Sequence, residues 1–204
     1  MLRIENLTQR YDDFVVFQDF SRHFGPGCYA LCEEESTGKS TLLNTLAGVM
    51  APTGGQVWVE GHSLTYAPEL ARARVAYVPD NCMQNPDLTG RGLLEQVAAA
   101  KDDVVDDDVL ALAADLGLMP HLDKRFEQMS TGTRRKVFLT ATVLGDPAVV
   151  IADGPSNGLD NAARDVLIDV FRAWSEDRVV LFASFDDGLV KACGAQPIEL
   201  APFR

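Results

Sequence analysis

Short, fully apolar runs alternate with helical patterns along this chain, and the alternation limits the fold more than any other feature. Val149–Ala152 and Val179–Ala183 are apolar at every position. A strand that is apolar on both faces is typical of a parallel sheet that other elements cover on both sides. The pattern therefore predicts an α/β fold built around a parallel sheet.

Apolar residues between these runs recur at helical spacing. The segments that show it are Leu42 to Ala47, Val109 to Leu116, Arg134 to Leu144 and Ala163 to Trp174. Each predicts a helix with one apolar face. The acidic run from Asp102 to Asp108 is expected to open one of them, because carboxylates are favoured at a helix N-terminus.

Charge and hydropathy narrow the possible partners. The formal net charge is −12, with 18 Lys and Arg against 30 Asp and Glu, which disfavours a nucleic-acid partner. No apolar stretch reaches the roughly 18 residues of a membrane span, and the N-terminus has no signal-peptide pattern. The four cysteines lack a paired metal spacing, and Cys28 and Cys32, in an apolar strand-like run, are expected to be buried in a reducing compartment. We therefore expect a cytoplasmic protein that does not bind nucleic acid.

A phosphate-binding motif is present in part. Gly38-Lys39-Ser40-Thr41 follows an apolar strand and starts a helix, and a helix N-terminus offers free N–H groups to an anion. Lys39 would add a positive charge at the terminal phosphates, and Ser40 a hydroxyl for magnesium. Glu33 replaces the first glycine of the motif, so on this motif alone an ordinary helix start remains the alternative.

Five motifs, in order over almost the whole chain, resemble those of the nucleotide-binding subunit of an ATP-binding cassette (ABC) transporter. They are EEESTGKST in the Walker A place, YVPD at Tyr77 in the Q-loop place, MSTGTRRK at Met129 in the signature place, VVIADGPSNGLD at Val149 in the Walker B and D-loop place, and ASFDD at Ala183 in the switch place. The resemblance implies a P-loop NTPase-like parallel sheet core, a small N-terminal antiparallel β part and a helical insertion. It also implies one nucleotide-binding domain over residues 1–204, with the helical subdomain at about 87–132.

The resemblance assigns ligands as well as a fold. It implies ATP and Mg²⁺, with a phosphate loop of Ser36, Thr37, Gly38, Lys39, Ser40 and Thr41. Ser40 and Asp153 would hold the magnesium ion. Tyr11 would stack on adenine, although a tyrosine after a strand also fits a lid over the core. Ser130 and Gly132 would contact the γ-phosphate of a nucleotide on an opposing subunit, and a simple N-cap is the alternative for Ser130.

Several family positions hold different chemistry here. Gly154 takes the place of the catalytic glutamate, Phe185 that of the switch histidine and Asp80 that of the Q-loop glutamine. Neither Gly154 nor Phe185 can transfer a proton, so no catalytic residue is assigned. The loop also carries three glutamates, Glu33 to Glu35. A carboxylate about 5 Å from a phosphate charge costs roughly 3 kcal/mol at an effective dielectric of ~20.

These features predict a catalytically degenerate ABC subunit that binds ATP weakly or has a structural or composite-site role. Its expected partners are separate transmembrane subunits and a second nucleotide-binding subunit, identical or different, at the inner face of the cell membrane. Two alternatives remain open. The first is an active ATPase that energises export and recruits Gln84 or Asp186, and the second is a scaffold or regulator outside transport.

Overall fold

A computed structural model describes residues 1–32 and 38–199. Their strands are β1 (Leu2–Tyr11), β2 (Phe14–Phe24), β3 (Gly27–Leu31), β4 (Gly54–Val59), β5 (His62–Ser63), β6 (Val75–Val78), β7 (Val149–Asp153), β8 (Val179–Ala183) and β9 (Gln196–Ile198). Their α-helices are α1 (Lys39–Leu46), α2 (Pro68–Ala73), α3 (Gly90–Ala100), α4 (Asp107–Asp115), α5 (Thr131–Ala141), α6 (Asn161–Trp174) and α7 (Asp187–Ala192). Two short 3₁₀ turns, Met119–His121 and Phe126–Gln128, precede α5.

The strands form two sheets of different kinds. One sheet is antiparallel, in the order β2-β1-β4-β5, and the other is parallel, in the order β6-β7-β8-β3-β9. The predicted α/β fold with a parallel sheet and a small antiparallel part is confirmed. Between β6 and β7 the chain forms α3, α4, both 3₁₀ turns and α5.

Alternate side chains of β8 enter two different hydrophobic clusters. Leu181 packs with α1 and the antiparallel sheet, whereas Phe182 packs with the helices on the other side of the parallel sheet. Both side chains are buried, with 1% and 0% of their surface exposed. Successive residues of β8 point to opposite faces of the sheet and enter different cores, which explains why the strand is apolar at every position.

Buried polar contacts join segments that lie far apart in the chain. Lys101, just after α3, donates from Nζ to the carbonyl oxygens of Val75 and Leu144, each at 3.0 Å. Burial lowers the pKa of this amine to about 8. At the start of α4, the Asp106 carboxylate accepts from the amides of Asp108 and Val109. The acidic run therefore starts this helix, as predicted.

The helix that starts at Lys39 is shorter than the sequence pattern suggests. Its last residue is Leu46, and Gly48 follows with a left-handed φ of 71°. The turn residues Pro52-Thr53-Gly54-Gly55 predict the end of this helix, but Gly54 and Gly55 belong to β4. The helix ends earlier because Gly48 adopts a left-handed conformation that glycine reaches without strain.

Candidate functional site

The carboxyl ends of β3, β6, β7 and β8 lie beside a cavity of about 530 Å³. In open α/β sheets, ligands bind at this end of the strands, where the connecting loops converge. Described residues from five chain segments line the cavity. They are Tyr11, Phe14, Val16, Gly38, Lys39, Ser40, Thr41, Asp80, Asp153, Gly154, Asn157, Ala183, Ser184 and Phe185.

The N-terminus of α1 supplies the groups suited to a phosphate. Gly38 precedes the helix with a φ of 88°, and a Cβ atom at this position would overlap the Val16 side chain. Lys39 is the first helical residue, and only 7% of its surface is exposed although it lines the cavity. Thr41 lines the cavity as well. A helix N-terminus and a lysine both favour an anion, so this end of the cavity carries groups suited to a phosphate.

Ser40 and Asp153, the predicted magnesium pair, lie next to each other. The Ser40 hydroxyl donates a hydrogen bond to the Asp153 carboxylate. Burial raises the pKa of Asp153 above its usual range, and the serine hydrogen bond opposes the shift. Hard oxygen donors of this kind fit Mg²⁺, which usually takes one or two protein ligands and completes its shell with water and phosphate oxygens. The residues present therefore fit the ion.

Asp80 brings a second carboxylate to the cavity, and Arg135 of α5 holds its backbone. Arg135 is 1% exposed, and its guanidinium donates to the carbonyl oxygens of Asp80 at 2.7 Å and Asp153 at 2.9 Å. Its Nη2 also lies 3.8 Å from Oδ1 of Asp80. One buried cation thus ties the helix that follows the signature motif to the loops after β6 and β7.

Gly154 adopts a conformation that suits glycine and no bulkier residue. Its φ is +57°, and a Cβ atom placed on it would overlap Nδ2 of Asn157. The same Cβ would lie 3.4 Å from Oδ1 of Asp80. The Asn157 amide therefore fills the space that a side chain at position 154 would need.

The ring of Phe185 lies against the ammonium group of Lys39. The centroid of its ring is 4.5 Å from Nζ of Lys39, which is a cation–π contact. Such contacts contribute about 0.5–2 kcal/mol, depending on how far the cation is desolvated. Phe185 nevertheless keeps 61% of its surface exposed. The position expected to exchange protons with a phosphate is occupied by an apolar ring that contacts Lys39 instead.

The two residues considered as substitute catalytic groups lie elsewhere. Asp186 accepts from the Leu189 amide at 3.0 Å to cap α7, and its second oxygen pairs with Arg164 at 2.6 Å. Among the described residues, those that line the cavity include neither Gln84 nor Asp186. Both carboxylate oxygens of Asp186 are engaged in structural contacts.

Tyr11, the last residue of β1, also lines the cavity. It is 47% exposed, and its hydroxyl contacts the sulfur of Met50 at 3.3 Å. The adenine contact and the lid alternative for Tyr11 both stay predictions. Sequence reasoning missed Phe14, Val16, Asn157 and Ser184. The signal available for Phe14 was its position directly after the Asp12-Asp13 turn, where it pairs with Tyr11 across the hairpin.

The signature residues Ser130 and Gly132 lie at the N-terminus of α5, away from the cavity. Ser130 caps the helix, since its Oγ accepts from the Thr133 amide at 3.1 Å. Gly132 packs so closely on the D-loop that a Cβ atom would overlap the Gly158 carbonyl oxygen. The D-loop carboxylate of Asp160 caps α6 and pairs with Lys136 at 2.6 Å. The N-cap alternative for Ser130 is thus observed, and contact with a second subunit stays a prediction.

The remaining predicted loop residues, Ser36 and Thr37, lie outside the described residues, as do Glu33 to Glu35. Within residues 1–32 and 38–199, no three His, Cys, Asp or Glu side chains gather into a metal-binding cluster. A magnesium ion at Ser40 and Asp153 would therefore need ligands from phosphate and water. None of the helices in the same residues is long and apolar enough to cross a membrane.

Fold and cavity together define an α/β protein of the nucleoside-phosphate-binding kind. The ABC transporter family matches residues 27–157, and the chain belongs to this family. It is 30% identical over 179 residues to the Nod factor export ATP-binding protein I of Paraburkholderia xenovorans, covering 84% of this chain and 58% of that protein. It is 29% identical over 160 residues to the cholesterol transporter ABCA5 of Rattus norvegicus, covering 76% and 10%. The chain thus spans little more than half of the first relative's length.

Solved structures show the same fold. An ATP-binding subunit of an ABC transporter superposes with a TM-score of 0.83 at 24% identity, covering 94% of this chain and 82% of that one. A dimeric ATP-binding cassette in a post-hydrolysis state, bound to ADP and Pi, gives a TM-score of 0.82 at 16% identity, covering 94% and 91%. The architecture described above is therefore that of ABC ATPase cassettes.

Proposed function

We propose that residues 1–204 form one ABC-type nucleotide-binding domain that binds ATP weakly, does not hydrolyse it, and supports transport structurally or by completing a partner's site. One observation carries the proposal. The same cavity holds Lys39 and the Ser40–Asp153 pair, yet it presents Gly154 and Phe185 where proton-transfer groups are required.

The residues of the cavity divide the work of binding. The N-terminus of α1 and Lys39 would hold the phosphates through backbone amides and one ammonium group. Ser40 and Asp153 would hold Mg²⁺, which neutralises phosphate charge when bound. The exposed ring of Tyr11 would offer a face to the adenine. Nothing at position 154 can accept a proton from water, so binding would not lead to efficient hydrolysis.

A composite site is the second part of the proposal. The groups that in the family reach a partner's nucleotide, Ser130, Gly132 and Asp160, are kept. At this chain's own site Lys39, Ser40 and Asp153 are present, but Asp80, Gly154 and Phe185 differ from the family residues. Ser130 is exposed at a helix N-terminus, where a hydroxyl and free amides stabilise an anion. A second nucleotide-binding subunit, identical or different, and separate transmembrane subunits complete the proposed assembly, with the helical subdomain at about 87–132 contacting the latter. The assembly would place the chain on the cytoplasmic face of the cell membrane.

The binding part is tested by calorimetric titration of ATP with and without Mg²⁺. We expect a dissociation constant on the order of 0.1–1 mM with Mg²⁺ and weaker binding without it. Lys39→Ala should abolish the heat of binding, and Lys191→Ala, at an exposed lysine of α7, should leave it unchanged. Equal binding by wild type and Lys39→Ala would show that this cavity is not the nucleotide site.

The composite part is tested in the assembled complex. Ser130→Arg should abolish ATP hydrolysis by the complex, because a bulky cation replaces the small hydroxyl at the N-terminus of α5. Lys39→Ala should have a mild effect there. If Lys39→Ala is the more damaging change, this chain's own nucleotide site matters most and the composite role is wrong.

A further inference from the structure

The turn that carries Phe185 is anchored on both sides of the ring. The Ser184 amide donates to the carbonyl oxygen of Leu31 at 3.2 Å, where β3 ends. The Asp186 amide donates to Oγ of Ser184 at 3.1 Å, and the Asp186 side chain caps α7 and pairs with Arg164. Because its neighbours are fixed to β3 and α6, Phe185 holds its place over Lys39.

This contact covers one side of the lysine ammonium. With the ring centroid 4.5 Å from Nζ, the aromatic face touches the cation that would hold the terminal phosphates. A phosphate oxygen approaching from this side meets a hydrocarbon ring with a negative π-face instead of a hydrogen-bond donor. A terminal phosphoryl group on this side of Lys39 would meet the Phe185 ring before the ammonium.

Carboxylates add to the effect of the ring. Asp80 and Asp153 both line the cavity, and the charge of Asp80 contributes to raising the pKa of Asp153. Asp80 takes the place of the uncharged glutamine that the family carries. An ATP molecule brings one more negative charge than ADP toward these two carboxylates, and like charges at this range repel.

We propose that Phe185 makes this cavity selective for a nucleoside diphosphate over the triphosphate. The inference rests on the proposed nucleotide-binding function and deepens it: ADP binds more tightly than ATP, and the weak ATP binding has a defined cause. Phe185 acts as a specificity-determining residue through its contact with Lys39, and Asp80 contributes through its charge.

The test is calorimetric titration of the full chain with ADP, ATP and the non-hydrolysable β,γ-imido analogue of ATP, all with Mg²⁺. We expect wild type to bind ADP about tenfold more tightly than either triphosphate. Phe185→Ala should bring the two affinities to within about twofold of each other, and Phe185→His should favour the triphosphate. Tyr66→His, at a tyrosine 77% exposed and outside the cavity, should keep the wild-type ratio.

Two results would overturn the inference while leaving the proposed function intact. They are equal affinity of wild type for ADP and the triphosphates, and an unchanged ratio in both Phe185 variants. Absence of binding by all three nucleotides would overturn the inference and the proposed function together. Phe185 is largely exposed, so its variants are expected to fold, and their thermal unfolding is compared with that of wild type.

Discussion

The N-termini of α1 and α5 are the two candidate phosphate contacts, and they differ in whether a side chain caps their backbone amides. Helix α1 begins after Gly38, which has no side chain that could cap it. Helix α5 begins after Ser130, whose hydroxyl accepts a hydrogen bond from Thr133. The first turn of a helix leaves several amides without partners, and an uncapped turn is the better anion site.

The side chains around the two N-termini favour α5 instead of α1 as the phosphate contact. The N-terminus of α1 lines a cavity together with Phe185, Asp80 and Gly154, whereas Ser130 at the N-terminus of α5 is exposed and outside that cavity. A chain can thus retain the backbone geometry of one site and the side-chain chemistry of another. The comparison separates binding, which α1 can still provide, from the chemistry that follows binding.

Placing a glutamate at position 154 is the most severe test of the prediction that the cavity at α1 does not hydrolyse ATP. A general base contributes about 10²–10⁴ in rate, but we expect Gly154→Glu to leave ATP turnover at background. The glutamate would need a φ near +57° and would displace Asn157, while Phe185 would still cover Lys39. Phosphate release by the purified variant and wild type measures this. Steady turnover on the order of 1 s⁻¹ by either protein would contradict the assignment of a degenerate site.

The guanidinium that connects the two regions should matter most for stability. Arg135→Met leaves the carbonyl oxygens of Asp80 and Asp153 without their buried donor, and we expect a loss of about 2–4 kcal/mol in the free energy of unfolding. Arg172→Met, at an exposed position of α6, is the control and should change it by less than about 0.5 kcal/mol. Denaturant titration compares the two variants. Similar losses would mean that Arg135 does not hold the loops.

Substitutions in the acidic segment Glu33 to Glu35 are expected to increase the affinity for ATP. Replacing Glu33, Glu34 and Glu35 by Gly, Pro and Asn, together with Ser36→Gly, should tighten ATP binding about tenfold, because like charge is removed and turn freedom returns. Calorimetric titration against the parent chain measures the change. No gain would mean that the carboxylates point away from the phosphates and that weak binding has another cause.

The smallest expected effect is on stability, at Ser130, the N-cap of α5. Ser130→Ala removes the cap of α5 and should cost about 1 kcal/mol of unfolding free energy, while Ser130→Thr keeps an oxygen at the same place and should cost less. Thermal or denaturant unfolding of both variants measures these two losses. If Ser130→Ala has no effect on stability, the hydroxyl does not stabilise the helix, which would leave ligand contact as its role.

The elements and the position of the site could be predicted from the sequence because they depend on local patterns. Apolar runs predicted β7 and β8, and helical stripes predicted α4 and α6. The Gly38-Lys39-Ser40 segment predicted the start of α1 at the cavity. Ser40 and Asp153 could be paired because both belong to motifs whose place in the family is known.

The contacts that decide the chemistry could not be predicted in this way. Phe185 was identified as a missing histidine, but its contact with Lys39 depends on two loops that are 146 positions apart in the chain. The same holds for Arg135, whose partners follow β6 and β7. The left-handed φ of Gly154 depends on the turn that returns to Asn157, and a local pattern gives no measure of that.

The outer strand of the antiparallel sheet has a consequence for self-association. β2 lies at the edge of its sheet, its pairing with β1 shifts register in three places, and Asp19 interrupts it with a φ of 53°. An incoming strand needs a straight, regular row of N–H and C=O groups, and a bulged edge carrying a charged residue does not present one. Copies of this chain are therefore poorly suited to join edge to edge at β2, which protects the exposed hairpin from fibre-like aggregation.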